Sequence, residues 1–283
     1  MSDRSAIEWT DSTFNPWLGC TKVGPGCDGC YAEAWGKRFG VEWGTGKPRR
    51  RTSASNWRKP LAWNNMAPIV NGHRRRVFCA SLADVFDNEV PGHWRADLFA
   101  LIRATPNLDW LIVTKRIGNA AKMLPDDWSD GYSNVVLLAT VCNQDEADRD
   151  VPKLLATPAR RRGLSIEPML GPIDLRHIAQ TPSGYLNALS SIIGPNLDWV
   201  ICGGESGPGA RLMDISWVYS IVQQCKASGV ACFVKQMGAH PISTGAAGAG
   251  PDGIYRYRLK DKKGGDWSEW LPELRVREFP DAA

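Results

Sequence analysis

Three cysteines near the start of the chain, Cys20, Cys27 and Cys30, have the residue type and the spacing to hold a metal centre. Cys27 and Cys30 form a C-x-x-C pair, whose thiolates can converge on one metal. Gly24-Pro25-Gly26 makes a tight loop that brings Cys20 back to join them. A structural zinc site closes with four ligands. The chain has four histidines, His73, His93, His177 and His240, and none is near these cysteines in sequence. Three thiolates can hold a [4Fe–4S] cluster and leave one iron open for a substrate or cofactor. That is the reading the spacing favours; zinc with a remote fourth ligand, and free or redox thiols, are its alternatives. The other five cysteines, Cys79, Cys142, Cys202, Cys225 and Cys232, lie in or beside apolar runs and are expected to be small buried hydrophobes rather than disulfide partners.

Such a centre needs a scaffold. From residue 77 onward, apolar runs recur at Val77–Ala80, Trp110–Val113, Val135–Ala139, Gly163–Ile166, Trp199–Cys202 and Ala231–Val234. Their spacing, about 25 to 35 residues, is that of a βα unit. Helices are expected between them over 93–104, 118–124, 144–156 and 213–228, the last with Ile215, Val218, Ile221 and Val222 at helical spacing. Alternation of strands and helices predicts an α/β fold with a parallel sheet. Each run ends in polar residues: Ser81 and Asp84; Thr114, Lys115 and Arg116; Thr140, Asn143 and Gln144; Ser165 and Glu167; Glu205 and Ser206. Carboxyl ends of strands carry the site in β/α barrels and in doubly wound sheets alike. Residues 40–72 show no period and read as an insertion. The stretch after Gly238 reads as a loop, and the tail as a hairpin around Gly264–Gly265. The domain reading is therefore 1–238 with its insertion, followed by a C-terminal β-hairpin extension, 239–283.

With 283 residues, 43% of them hydrophobic and 23% charged, the chain can build its own core without disulfides. It has no run of about 18 apolar residues and no apolar signal region at its start, so a cytoplasmic protein without a membrane partner is expected. The net charge is +4, but its distribution is uneven: from Lys37 to Arg76 eleven basic residues face one acid, Glu42. Trp43, Trp57 and Trp63 are interleaved with them. Phosphate-neutralising charge beside stacking aromatics suits single strands or extruded bases, which makes DNA or RNA a candidate partner. A solvated insertion whose tryptophans pack beneath it is the other reading.

In NPWLGCTKVGPGCDGCYAE, SLADVFD, LIVTKR, LSIEPMLGPIDL, VICGGESGPGARLMD and CFVKQMG the chain resembles, over most of its length, the phage Gp37/Gp68 (DUF5131) family. That group is similar in turn to radical S-adenosylmethionine (SAM) enzymes, the spore photoproduct lyase-like ones among them. The resemblance implies a partial (β/α)6 TIM-type barrel of the radical SAM kind, with Cys20, Cys27 and Cys30 on a [4Fe–4S] cluster and SAM on its open iron. It implies cleavage of SAM and abstraction of hydrogen from a substrate, a nucleic acid base or nucleotide among the candidates, with a reductant such as flavodoxin or ferredoxin. The protein itself would supply position and charge complementarity. The amine of SAM would then take Ser81, Asp84, Glu167 or Glu205, and its carboxylate Lys115 or Arg116. Glu33 and Arg38 follow the cysteines on one helix and could assist. Thr140, Gly203 and Gly204 complete the cofactor-binding set, and the Gly203–Gly209 loop, GGESGPG, could let adenosine approach the backbone closely. The cysteine spacing has three residues more than the usual C-x3-C-x2-C, and Gly203-Gly204-Glu205 follows the sixth strand rather than the second. Rival readings are an iron–sulfur nucleic-acid-binding protein without SAM chemistry and a zinc-stapled binding module.

Overall fold

Val135–Ala139 is apolar without alternation, and every residue of the strand Val135–Thr140 is buried, the pattern of a parallel strand covered on both faces. A computed structural model describes residues 3–66, 73–179, 184–190, 194–207, 209–245 and 247–280. It contains seven strands of this parallel set, divided between two compact units. One unit is drawn from residues up to Ala139 together with Thr157–Arg162, the other from Thr140–Ala156 and Gly163 onward.

In the first unit, β1 (Ser12–Phe14), β2 (Arg75–Cys79), β3 (Leu108–Thr114) and β4 (Val135–Thr140) lie in sequence order, each parallel to the next. The strand β1 has too few residues to show a period, and the apolar pattern of its sequence does not announce it. Helix α1 (Tyr31–Arg38) follows the cysteine segment. Helix α2 (Ala54–Met66) occupies the supposed irregular insertion and keeps its course with Pro60 inside. Helix α3 (Gly92–Arg103) buries Leu98, Phe99, Leu101 and Ile102, and α4 (Ile117–Met123) begins directly after the end of β3.

In the second unit, β5 (Arg161–Ile166), β6 (Trp199–Gly203) and β7 (Ala231–Gln236) are again parallel and in sequence order. Helix α5 (Gln144–Ala156) buries Ala147, Val151, Leu154 and Leu155. Helix α6 (Ile215–Ser228) is capped by Asp214, which accepts from the Ser216 N–H at 2.9 Å. Gly229, with φ +66°, closes it in the left-handed conformation that glycine adopts without strain. Sequential parallel order in both units is what a partial barrel requires, whereas a doubly wound sheet reverses direction at its switch point. The fold is mixed α/β on parallel strands.

The tail departs from its expected form. The hairpin is made by β8 (Pro241–Thr244) and β9 (Ile254–Arg256), antiparallel to one another, so the stretch after Gly238 is not simply a loop. Gly264 and Gly265 sit instead in a turn gathered by Asp261, whose carboxylate accepts from the N–H groups of Lys263, Gly265 and Asp266. Further on, the chain returns to β7: the Val234 N–H donates to the Val276 carbonyl and the Glu278 N–H to that of Cys232. Among the described residues no helix is long and apolar enough to cross a membrane.

Candidate metal centre and strand-end site

Within the first unit, the segments leaving β1, β2 and β3 are tied together by side chains. After β1, Asn15 donates to Ser81 Oγ at 3.0 Å and accepts the Leu82 N–H at 2.7 Å. Gly19 donates to the Leu82 carbonyl. After β2 comes Asp84, 4% exposed. Its two oxygens accept four donors: the Phe86 N–H, Thr114 Oγ1, the Lys115 N–H and Arg116 Nη1. The carboxylate that could have faced a ligand amine is thus the knot joining the ends of β2 and β3.

Arg116 carries that knot to the cysteine segment. Its Nη1 lies 3.3 Å from Asp84 Oδ2 and donates to Cys20 Sγ at 3.2 Å, while Nη2 donates to the Thr21 carbonyl at 2.6 Å. Burial works against the guanidinium's charge, but Asp84, with Cys20 and Asp87, holds its pKa above the ordinary value. Burial, and then Asp84, push the Cys20 thiol up to about 11, with Arg116 pulling the other way. A second guanidinium flanks the same segment. Arg49, its side chain fully buried, pairs with Asp87 at 2.8 Å and Glu89 at 3.1 Å. It also donates to Thr21 Oγ1 at 2.7 Å and to the carbonyls of Gly44 and Lys47. Neither Arg49 nor Asn15 was foreseeable as part of this site, because their partners lie far away along the chain.

The remaining cysteines of the motif stand on the turn before α1. Cys27 is buried at the end of a short 3₁₀ turn, Pro25–Cys27. The Cys30 N–H donates to the Cys27 carbonyl at 3.3 Å, and Cys30 is the residue that caps α1, without using its sulfur to do so. Cys30 also packs against Leu18, Ala32, Val41 and Leu82. The Tyr31 hydroxyl donates to the Ser81 carbonyl at 2.8 Å, which ties the start of α1 to the end of β2. Glu33 pairs with Lys22 and Lys37, and Arg38 is exposed.

These residues bear on whether a thiolate-ligated centre suits the segment. All three thiols are free. Cys20 has a charged N–H donor in Arg116, although burial and Asp84 together still raise the pKa of its thiol, and Cys30 stands at the N-terminus of α1. Yet among the described residues no three His, Cys, Asp or Glu side chains form a group that could hold a metal ion. Thiol donors are present, but as folded these three sulfurs are not gathered into a metal-binding group.

The other expected site residues divide between the units. Ser81 and Lys115 stand with Asp84 in the first. Lys115 is half-buried, and its ammonium has no partner among the described residues. In the second unit Thr140 is buried, Glu167 pairs with Lys235 at 2.8 Å, and Glu205 binds Arg211 through both oxygens at 2.8 and 2.9 Å. Arg211 lowers the Glu205 pKa. Gly203 and Gly204 have a packing reason to be glycine: a Cβ at Gly204 would lie 2.5 Å from the Met237 carbonyl oxygen, and one at Gly203 2.9 Å from that of Gln236. The other five cysteines are buried, as expected.

The basic block is largely engaged within the protein. Lys37, Lys47, Arg49, Arg51, Lys59 and Arg74 pair with Glu33, Glu42, Asp87, Asp97, Asp3 and Asp109 respectively. Its tryptophans are engaged as well. Arg51 covers Trp57, Arg75 lies over buried Trp63, and Trp43 packs with Leu18 and Val41.

In each unit the parallel strands run in sequence order, a mixed α/β arrangement, and in the first unit a segment with three free thiols follows the first strand. The profile of DUF5131, described as a protein of unknown function, matches residues 4–268, and the chain belongs to that family. Comparison with curated proteins and with solved structures finds no match.

Proposed function

We propose that this chain is a radical SAM-type enzyme in which Cys20, Cys27 and Cys30 hold a [4Fe–4S] cluster. One observation carries the reading. Three free thiols follow the first strand of a sequence-ordered parallel set, and the first of them lies against a buried Arg116–Asp84 pair brought from the ends of the next two strands. When bound, such a cluster supplies the electron that cleaves SAM into methionine and the radical that removes hydrogen from a substrate. The chain's own residues do the positioning. Arg116 offsets the negative charge of a thiolate at Cys20, and Asp84 keeps that guanidinium in place. Lys115, with its ammonium unpaired, is the cation suited to a carboxylate. Glu167 and Glu205 are already neutralised by Lys235 and Arg211, which makes them weaker candidates for an amine.

Anaerobic purification tests the proposal. The protein is expected to be brown, to carry about four irons per chain, and to form 5′-deoxyadenosine from SAM with dithionite. Cys27→Ala is expected to lose colour and iron while keeping its circular dichroism spectrum. A colourless wild-type protein with one zinc sinks the reading; a brown, SAM-inert one keeps the cluster and removes the SAM chemistry.

A further inference from the structure

We infer that Phe39, stacked on Trp35 at the end of α1, is a platform for a base of single-stranded nucleic acid, with Arg38 and Arg50 beside it for the phosphates. The inference moves the nucleic-acid expectation from the tryptophans of the basic block to different residues, and it needs no metal at the cysteines. Trp43, Trp57 and Trp63 are engaged within the protein, whereas Phe39 is 55% exposed. Its ring lies 4.2 Å from that of Trp35, with the planes 29° apart, an i,i+4 pair on one helix face. Trp35 packs in turn against Leu18, Ala32, Val41 and Leu82, so the stack is anchored in the first unit. The backbone is fixed as well: the Phe39 N–H donates to the Gly36 carbonyl at 3.0 Å, and Gly40, at φ +63°, turns the chain.

The cations come from two directions. Arg38 precedes Phe39 on α1 and is exposed. Arg50 lies on a two-stranded ribbon, Trp17–Leu18 with Arg50–Arg51, where successive side chains take opposite faces. Arg51 goes to Trp57 and Asp97. Arg50 turns the other way, donates to the Phe39 carbonyl at 3.4 Å and stays exposed. Glu33 and Glu42, the acids between Tyr31 and Arg51, are paired with lysines. The helix dipole alone favours cations in a last turn. It does not favour a large apolar ring left in water beside them. An aromatic face next to guanidinium groups suits an unpaired base and its phosphates, and because every base has a π-face the stacking tolerates any sequence.

The experiment is fluorescence anisotropy of a labelled thymidine oligonucleotide of about twelve nucleotides, titrated with the full chain between about 50 and 200 mM salt. Phe39→Ala is expected to weaken binding about tenfold and to leave the salt slope unchanged, whereas Phe39→Tyr, which keeps a ring, holds the wild-type affinity. Arg38→Ala combined with Arg50→Ala is expected to flatten the slope by about 1.4, two contacts at about 0.7 each. Where Phe39→Ala fails to fold by circular dichroism, Phe39→Leu decides, since it keeps the apolar contact and loses the flat face. No binding by the wild-type protein at about 50 mM salt, unchanged affinity in the folded variant, or equally tight binding of a duplex each overturns the inference. Tighter binding to phosphatidylserine vesicles, lost in the same variants, also overturns it and makes the surface a lipid-facing one. The iron content of the anaerobic protein is a separate measurement, so this inference and the iron–sulfur reading fail independently.

Discussion

Arg49 has its whole side chain out of water, yet it carries a full charge, and its partners explain how that is tolerated. Asp87, 3% exposed at its side chain, faces Nε at 2.8 Å, and the remaining donors reach Glu89, Thr21 and two carbonyls. A buried pair adds little net stability compared with apolar packing, but breaking it leaves an uncompensated charge. Asp87→Ala is therefore expected to destabilise the protein by about 3 kcal/mol. Glu89→Gln, at the half-exposed end of the same network, should cost less than about 1 kcal/mol. Urea denaturation midpoints at constant slope give both values. Equal effects would mean that the charge on Arg49 is not the reason Asp87 matters. Because Arg49 and Arg116 both bond Thr21, the Asp87 variant should also loosen the residue next to Cys20.

Among the elements, the close pairing of β6 with β7 gives Gly203 and Gly204 a packing reason to be glycine, beside the cofactor role expected of them. The register slips between Cys202 and Gly203 as β6 runs beside β7, and the two backbones come too close for a side chain at Gly204. Gly204→Ala sets a methyl 2.5 Å from the Met237 carbonyl oxygen, a contact only backbone movement can relieve. A cost of about 2 to 3 kcal/mol is expected by thermal or urea melting. Gly171→Ala, whose Cβ would meet only Asn143 at 3.6 Å, should be nearly neutral. A tolerated Gly204→Ala would mean that close packing is not what requires glycine there. The expected strands from Val77 to Val234 were legible because buried parallel strands are short apolar runs, and four of the expected helices fall within two residues of α3, α4, α5 and α6. What was not legible lacked a local signal. The strand β1 has three residues, α2 contains a proline and little amphipathic pattern, and the true hairpin is joined by a long turn rather than by Gly264–Gly265. At the site, the cysteines announced themselves by spacing. The contact between Cys20 and Arg116 spans 96 positions, and no pattern within a sequence window reveals it.

For the molecule as a whole, a net charge of +4 and the basic run from Lys37 to Arg76 suggest a polyanion-binding face. The fold brings distant carboxylates to much of that run. Arg38, Arg50 and Arg58 are exposed and, among the described residues, make no ion pair. Affinity for a single strand falls with salt in proportion to the phosphates neutralised, with a slope of about −0.7 per contact. Three available arginines predict a slope of about −2, whereas eleven free charges would give about −8. Fluorescence anisotropy of a labelled oligonucleotide, between about 50 and 200 mM salt, measures the difference. Arg50→Ala combined with Arg58→Ala should then flatten the slope to about −0.7, since one arginine remains. A slope steeper than about −5 would mean that the internal ion pairs open to the ligand. The acids paired with the block, Asp3, Asp97 and Asp109, would then be competitors for its charge, and replacing Asp97 by Asn would strengthen binding instead of merely weakening the fold.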